Sequence, residues 1–122
     1  MDKESFGNLV TEALDSLPEQ FQNALDNVEI LVEDWPDRET LRLARVSSPY
    51  GLLGFYHGVP LTQRTAGYNL VPPDKISIYQ KPIEAQCASE DEVKALVRRV
   101  VLHEIAHFFG ISDERLREIG AY

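Results

Sequence analysis

The segment from Ser89 to Gly110 constrains the fold more than any other stretch of the chain. Its apolar residues recur at helical spacing, and Lys94, Arg98 and Arg99 lie off that stripe, so its first half is amphipathic. The second half is apolar nearly all round, through Val100, Val101, Leu102, Ile105, Ala106, Phe108 and Phe109. We therefore expect a central and largely buried helix.

Signals for helix ends stand on both sides of this segment. Ser89 and Glu92 form a capping box, with acidic residues in the first turn at the positive end of the helix dipole. Gly110 is placed to end the helix in the left-handed conformation, after about Phe109. Residues 112–119 predict a short final helix.

The N-terminal third predicts helices. Apolar residues of 3–17 fall at helical spacing, and Ser16 with Glu19 fits a capping box for a second helical piece that runs to about Asp26. The stretch VEILVEDW then alternates as a half-buried strand, and 38–45 fits either a helical turn or a strand.

The middle of the chain predicts strands and turns. YGLLGFYHGV, residues 50–59, combines strand-forming residues with glycines, and KISIYQKPI, residues 75–83, alternates well. The order of segments predicts an α+β fold in one domain, 1–122. In it a small, twisted, mixed β-sheet packs against an N-terminal helical segment and the long helix, and a short C-terminal helix follows.

Composition restricts the partners and the compartment. The net charge is −8, and residues 1–39 hold eleven acidic and two basic residues, which disfavours nucleic acid. No apolar run has the length of a membrane span, no secretory signal opens the chain, and Cys87 is the only cysteine. We expect a cytoplasmic protein without membrane or nucleic-acid partners.

Three polar residues, His103, Glu104 and His107, continue the buried stripe of the long helix. Burying an ionised carboxylate without a partner costs several kcal/mol, and a cation would remove that cost. Histidines at positions i and i+4 lie one above the other, so both imidazoles can reach one ion. Zn²⁺ accepts imidazole nitrogens in a tetrahedral site.

The longer pattern HEIAHFFGISD suggests a complete hydrolytic site. Glu104 is angled beside the metal, where it can hold a water and accept its proton as general base. Gly110 lets the chain turn back, so that Asp113 returns to the same ion as a third ligand. The motif H-E-x-x-H on a helix is the one used by zinc proteases.

Each of these residues also has a structural interpretation. His103 and His107 could be hydrogen-bonded core histidines, and Glu104 could pair with an arginine such as Arg98 or Arg99. Asp113 stands where the final helix would need an N-cap. For His57, in the Gly-rich strand, a surface or cleft position is favoured over a ligand role.

At these residues the chain resembles known families. HEIAHFFGISD looks like the metzincin zinc motif, and aspartate as third ligand resembles the minority variant of snapalysin-type proteases. The whole chain is similar to the bacterial minimal metalloprotease-like proteins, predicted zinc peptidases with a stripped-down zincin-like fold. The further matching stretches are LVTEALDSLPEQFQNALDNVEILVED, GLLGFYHGVPLTQR and DKISIYQKPI.

The resemblance implies zinc held by His103, His107 and Asp113, with Glu104 as general base. It also implies that Gly54-Phe55-Tyr56 is the edge strand that receives an extended peptide.

Two departures from the family pattern bear on the site. Metzincins carry a methionine-containing turn beneath the metal, whereas the only methionine here is Met1. Nine residues follow Asp113, so we expect little room for a specificity pocket beyond the metal. Tyr56, Tyr68 and Tyr122 are candidates for stabilising an oxyanion by chemistry alone, with core or surface roles as the alternative.

The function expected from these residues is a zinc-dependent metallopeptidase acting on a peptide or protein substrate. A non-catalytic zinc-binding module that recognises peptides or proteins is one alternative. A zinc-dependent hydrolase of RNA is another, although the acidic charge opposes it.

Overall fold

The computed structural model of the chain describes residues 1–58, 74–112 and 114–115. Its elements follow in chain order: α1 Lys3–Asp15, α2 Glu19–Ala24, β1 Val28–Glu33, α3 Arg38–Ala44, a 3-10 turn Pro49–Gly51, β2 Gly54–His57, β3 Asp74–Tyr79, α4 Gln80–Ala85 and α5 Glu90–Phe108. None of these described helices is long and apolar enough to cross a membrane.

The three described strands form a mixed sheet in the order β1-β3-β2. β1 runs parallel to β3, with Val28 opposite Asp74, and β2 runs antiparallel to β3, with Gly54 opposite Ile78. Residues 76–79 of the central strand are all buried, so both faces of this strand are shielded from solvent. Because β3 lies between β1 and β2, strand β2 forms one edge of the described sheet.

Helices α1 and α5 pack together on one face of the sheet and form the core with it. Phe6 of α1 and Val97 of α5 are fully buried. The buried cluster comprises Phe6, Val10, Ala13, Ile76, Ile78, Ile83, Val93, Val97, Val100, Val101 and Ile105. The predicted α+β fold, with a small mixed sheet against an N-terminal helical segment and the long helix, is confirmed.

Both ends of α5 are capped as the sequence predicts. The Ser89 hydroxyl accepts a hydrogen bond of 3.2 Å from the Glu92 amide. At the other end Gly110 has φ +80°, and its amide donates to the His107 carbonyl while the Ile111 amide donates to the Ala106 carbonyl, both at 2.9 Å. These two bonds make a Schellman motif, which ends the helix at Phe108.

Some local predictions differ from the structure. The strand predicted over 75–83 ends at Tyr79, and α4 follows at once, with Pro82 in its first turn where no intrahelical amide bond is needed. Segment 38–45, left open between helix and strand, is helix α3, whose N-cap Asp37 accepts from the Thr40 amide.

The capping box predicted at Ser16 and Glu19 is wrong. Ser16 caps the end of α1, and its hydroxyl donates to the Ala13 carbonyl at 2.7 Å. Helix α2 begins after its N-cap Pro18, whose side chain has no oxygen that could accept a hydrogen bond from the first helical amides. The predicted final helix over 112–119 lies mostly outside the described residues.

Candidate metal centre

Helix α5 brings His103, Glu104 and His107 together on one side of its last turns. One potential ligand atom from each side chain lies within 4.8 Å of the other two, and the imidazole centroids are 4.5 Å apart. The spacing of one helical turn causes this proximity. It is the one group of three His, Cys, Asp or Glu residues that meets this distance among the described residues.

The carboxylate is buried more deeply than the imidazoles. Glu104 is 6% exposed, whereas His103 and His107 are half-buried at the margin of the core. Its Oε1 lies 3.4 Å from Nδ1 of His107. The sequence predicted all three on the buried face, but the structure puts only Glu104 there and leaves the imidazoles reachable from solvent.

The surroundings of these three residues bear on their structural interpretations. The two imidazoles are half-buried beside a buried carboxylate, so neither is fully enclosed in the core. Within the described part of the chain, Glu104 pairs with the His107 imidazole and with neither Arg98 nor Arg99. A cation between these groups would compensate the buried negative charge, and imidazole nitrogen with carboxylate oxygen is a donor set that zinc accepts.

The edge strand lies directly against the Glu104 side chain. A Cβ atom on Gly54 would come within 2.9 Å of Val100 Cγ1, 3.1 Å of Glu104 Cγ and 3.2 Å of the Ser77 carbonyl oxygen. Only glycine therefore lets β2 approach α5 this closely. The close approach fixes Glu104 next to the edge of the sheet.

An open groove of about 510 Å³ adjoins the cluster. Segment 51–54, which leads into β2, forms one side, and α5 forms the other with Leu96, Val100 and His103. Arg99 and Gln86 contribute polar groups. The sequence predicts little room for a specificity pocket among the residues after Asp113, whereas this groove is lined mainly by residues that come before His103.

His57 lies apart from the cluster. Gly54 and Tyr56 face α5, so strand alternation turns His57 to the other face, where its ring packs edge-on against Phe55 at 4.7 Å. Its Nε2 atom is buried, and no described residue forms a hydrogen bond with it. Burial lowers the pKa of His57, and the Lys75 ammonium lowers it further.

Of the three tyrosine candidates, Tyr56 lies within the described residues. It donates its hydroxyl hydrogen to Asp74 Oδ2 at 2.8 Å and packs edge-on against Phe108. Tyr68 and Tyr122 lie outside the described residues, and so does Asp113, the predicted third ligand.

Comparison with known proteins identifies the family. The model of the zincin-like metallopeptidase family matches residues 25–121. A conserved hypothetical protein from Thermus thermophilus has a similar structure, with a TM-score of 0.56 and 24% identity over 89% of this chain and 94% of that chain. No curated protein matches the chain. Members of this family typically hold a metal ion, and the chain carries a histidine-glutamate-histidine group that could do so. The family match covers most of the sequence, so the chain belongs to the zincin-like metallopeptidases.

Proposed function

We propose that this protein is a zinc-dependent metallopeptidase that hydrolyses peptide bonds. The observation that carries the proposal is the grouping of His103, Glu104 and His107 within 4.8 Å at the margin of an open groove. In the proposal His103, His107 and Asp113 hold the ion. When bound, zinc would supply a Lewis acid and a lowered pKa for water.

Glu104 is the proposed general base. Its carboxylate takes a proton from the attacking water and passes it to the amine nitrogen that leaves. Its surroundings support this role, because a glutamate side chain that packs against Gly54 through its Cγ atom loses little entropy when it aligns with the water. The low solvent exposure also strengthens its electrostatic interactions.

An extended peptide is the substrate that suits this surface. β2 is an outer strand of the described sheet and touches Glu104 through Gly54. A peptide that lies along Gly54-Phe55-Tyr56 by strand addition would pass the carboxylate and the two imidazoles. Backbone recognition of this kind accepts many sequences, so we expect selectivity to come from the adjoining groove.

Substitution of the base separates binding from catalysis. We expect Glu104→Gln to retain zinc and to lose peptide hydrolysis by roughly 100-fold or more, because an amide cannot accept the proton. Cleavage of a peptide library by the zinc-loaded proteins gives the rates. If parent and variant bind zinc and peptide equally and neither cleaves, the protein is a non-catalytic binding module.

Removal of a proposed ligand tests the metal site itself. We expect His107→Ala to lose stoichiometric zinc, measured by metal analysis after dialysis, because one of three ligands is gone. His57→Ala is the matched control, since His57 faces the other side of the sheet and should leave the zinc content unchanged. Full zinc content in His107→Ala would show that the ligand set is wrong.

The role of Asp113 is tested by two substitutions. Asparagine caps helices as well as aspartate does, but it is neutral and a weaker ligand for zinc. We expect both Asp113→Ala and Asp113→Asn to weaken zinc affinity with the fold retained, as followed by zinc titration and circular dichroism. If Asp113→Asn binds zinc like the parent while Asp113→Ala loses stability, Asp113 is a cap and not a ligand.

A further inference from the structure

The groove beside the candidate metal centre has apolar walls and a polar margin. Leu96 and Val100 give it an apolar wall on α5, and Leu52 and Leu53 give it another on the segment before β2. Arg99 and Gln86 supply polar groups at its margin, and His103 and Glu104 border it on the side of the cluster. A side chain that fills this groove needs an apolar stem and a polar end.

Arg99 brings a positive charge to the margin of this groove, which His103 and Glu104 border on the side of the cluster. Arg99 is exposed, and no carboxylate of the described residues pairs with it, whereas Lys94 pairs with Glu12 at 3.7 Å. A guanidinium offers two parallel N–H donors that match a carboxylate, and an amide such as that of Gln86 can donate another hydrogen bond. In a chain of net charge −8, a cation without a carboxylate partner beside a groove favours an anionic ligand.

We propose that this groove binds an acidic side chain of the substrate peptide, and glutamate best. The glutamate carboxylate pairs with Arg99 and accepts from the Gln86 amide, while its methylene groups pack against Leu96 and Val100. This inference rests on the proposed function only for the position of the peptide beside the cluster. It makes Arg99 a specificity-determining residue.

The neighbouring Arg98 provides a matched control. It borders a separate, smaller cavity of about 180 Å³ between α5 and α1, together with Leu9 and Ala13. Reversal of charge at Arg98 changes the net charge of the protein as much as reversal at Arg99 does. It leaves the groove untouched.

The test is affinity selection with the zinc-loaded Glu104→Gln protein, which does not consume the peptides. A mixed library of peptides of about ten residues is passed over the immobilised protein, and bound peptides are sequenced by mass spectrometry. We expect glutamate to be enriched at one position by about fivefold, since a partly solvated ion pair contributes at most about that factor. In the Arg99→Glu background the same position should favour lysine or arginine, and in the Arg98→Glu background glutamate should persist.

The proposal is overturned if the bound peptides show no acidic preference, or if Arg99→Glu leaves that preference unchanged. Peptide cleavage by the parent is scored separately with the same library. Acidic selection without cleavage by the parent would reject the peptidase and keep the groove assignment. Cleavage by the parent with no acidic preference would keep the peptidase and reject the groove assignment.

Discussion

At the scale of single residues, the candidate site depends on one buried carboxylate and the glycine opposite it. Glu104 lies between Gly54 of the edge strand and His107, so its side chain has little freedom. A buried carboxylate is costly, and a protein keeps one where function requires it. The sequence already pointed to Glu104 through its motif, whereas nothing local in the sequence identified Gly54 as its packing partner.

Replacement of Gly54 should therefore disturb both stability and the site. We expect Gly54→Ala to destabilise the fold by about 1–3 kcal/mol, because the added methyl group would overlap Val100 and press on the Ser77 carbonyl. The free energy of unfolding in urea measures this change. Gly7→Ala is the control: its Cβ meets no atom within 4 Å in the middle of α1, and it should stabilise the fold by about 0.5–1 kcal/mol. Equal effects of the two substitutions would contradict the packing argument.

At the scale of elements, α5 was the most predictable part of the chain. Its caps, its length to within one residue and its buried face followed from local chemistry, namely Ser89, Gly110 and the apolar stripe. The strand around KISIYQKPI was predicted too long, because alternation continued past Tyr79 while tertiary packing started α4. Where several residues of one element carry a signal, the sequence predicts it well.

The end of α5 offers a direct test of its stop signal. Gly110 has φ +80°, where a residue with a Cβ is strained, so we expect Gly110→Ala to lower stability by roughly 1–2 kcal/mol. Gly110→Asn should lose less, since asparagine tolerates the left-handed conformation. Urea denaturation of the three proteins gives the order. An alanine variant as stable as the parent would mean that the helix can end without this turn.

At the scale of the whole molecule, the layer order could be predicted and the site could be predicted only in part. The fold class followed from the sequence of helices and strands. The groove could not be predicted. It lies between residues 51–54 and α5, which are far apart in sequence, and hydrophobic periodicity reports only on neighbouring residues of one element. The third ligand was inferred from the turn at Gly110 and stays a prediction.

The stability of the whole protein should depend on pH through His57. Its folded pKa lies below the ordinary value of 6.5, so below about pH 6.5 the unfolded chain binds a proton that the folded chain excludes. The stabilising contribution of neutral His57 is therefore fully present above that pH. It falls as the pH drops towards the folded pKa and does not change further below that pKa. His57→Phe keeps the ring packing with Phe55 and should flatten this dependence. Urea denaturation of both proteins from about pH 7.5 to about pH 5 measures the difference, and parallel curves would refute it.

The parallel pairing of β1 with β3 bears on how the chain reaches its native state. Val28 pairs with Asp74, which lies 46 positions further along the chain, so the sheet closes a long loop. Contacts within α5 are local, and helices of that kind form in microseconds, well before such strands find one another. We therefore expect the apolar second half of α5 to be exposed in the refolding chain until the sheet has formed. Exposed apolar surface of that kind makes a folding intermediate prone to aggregate.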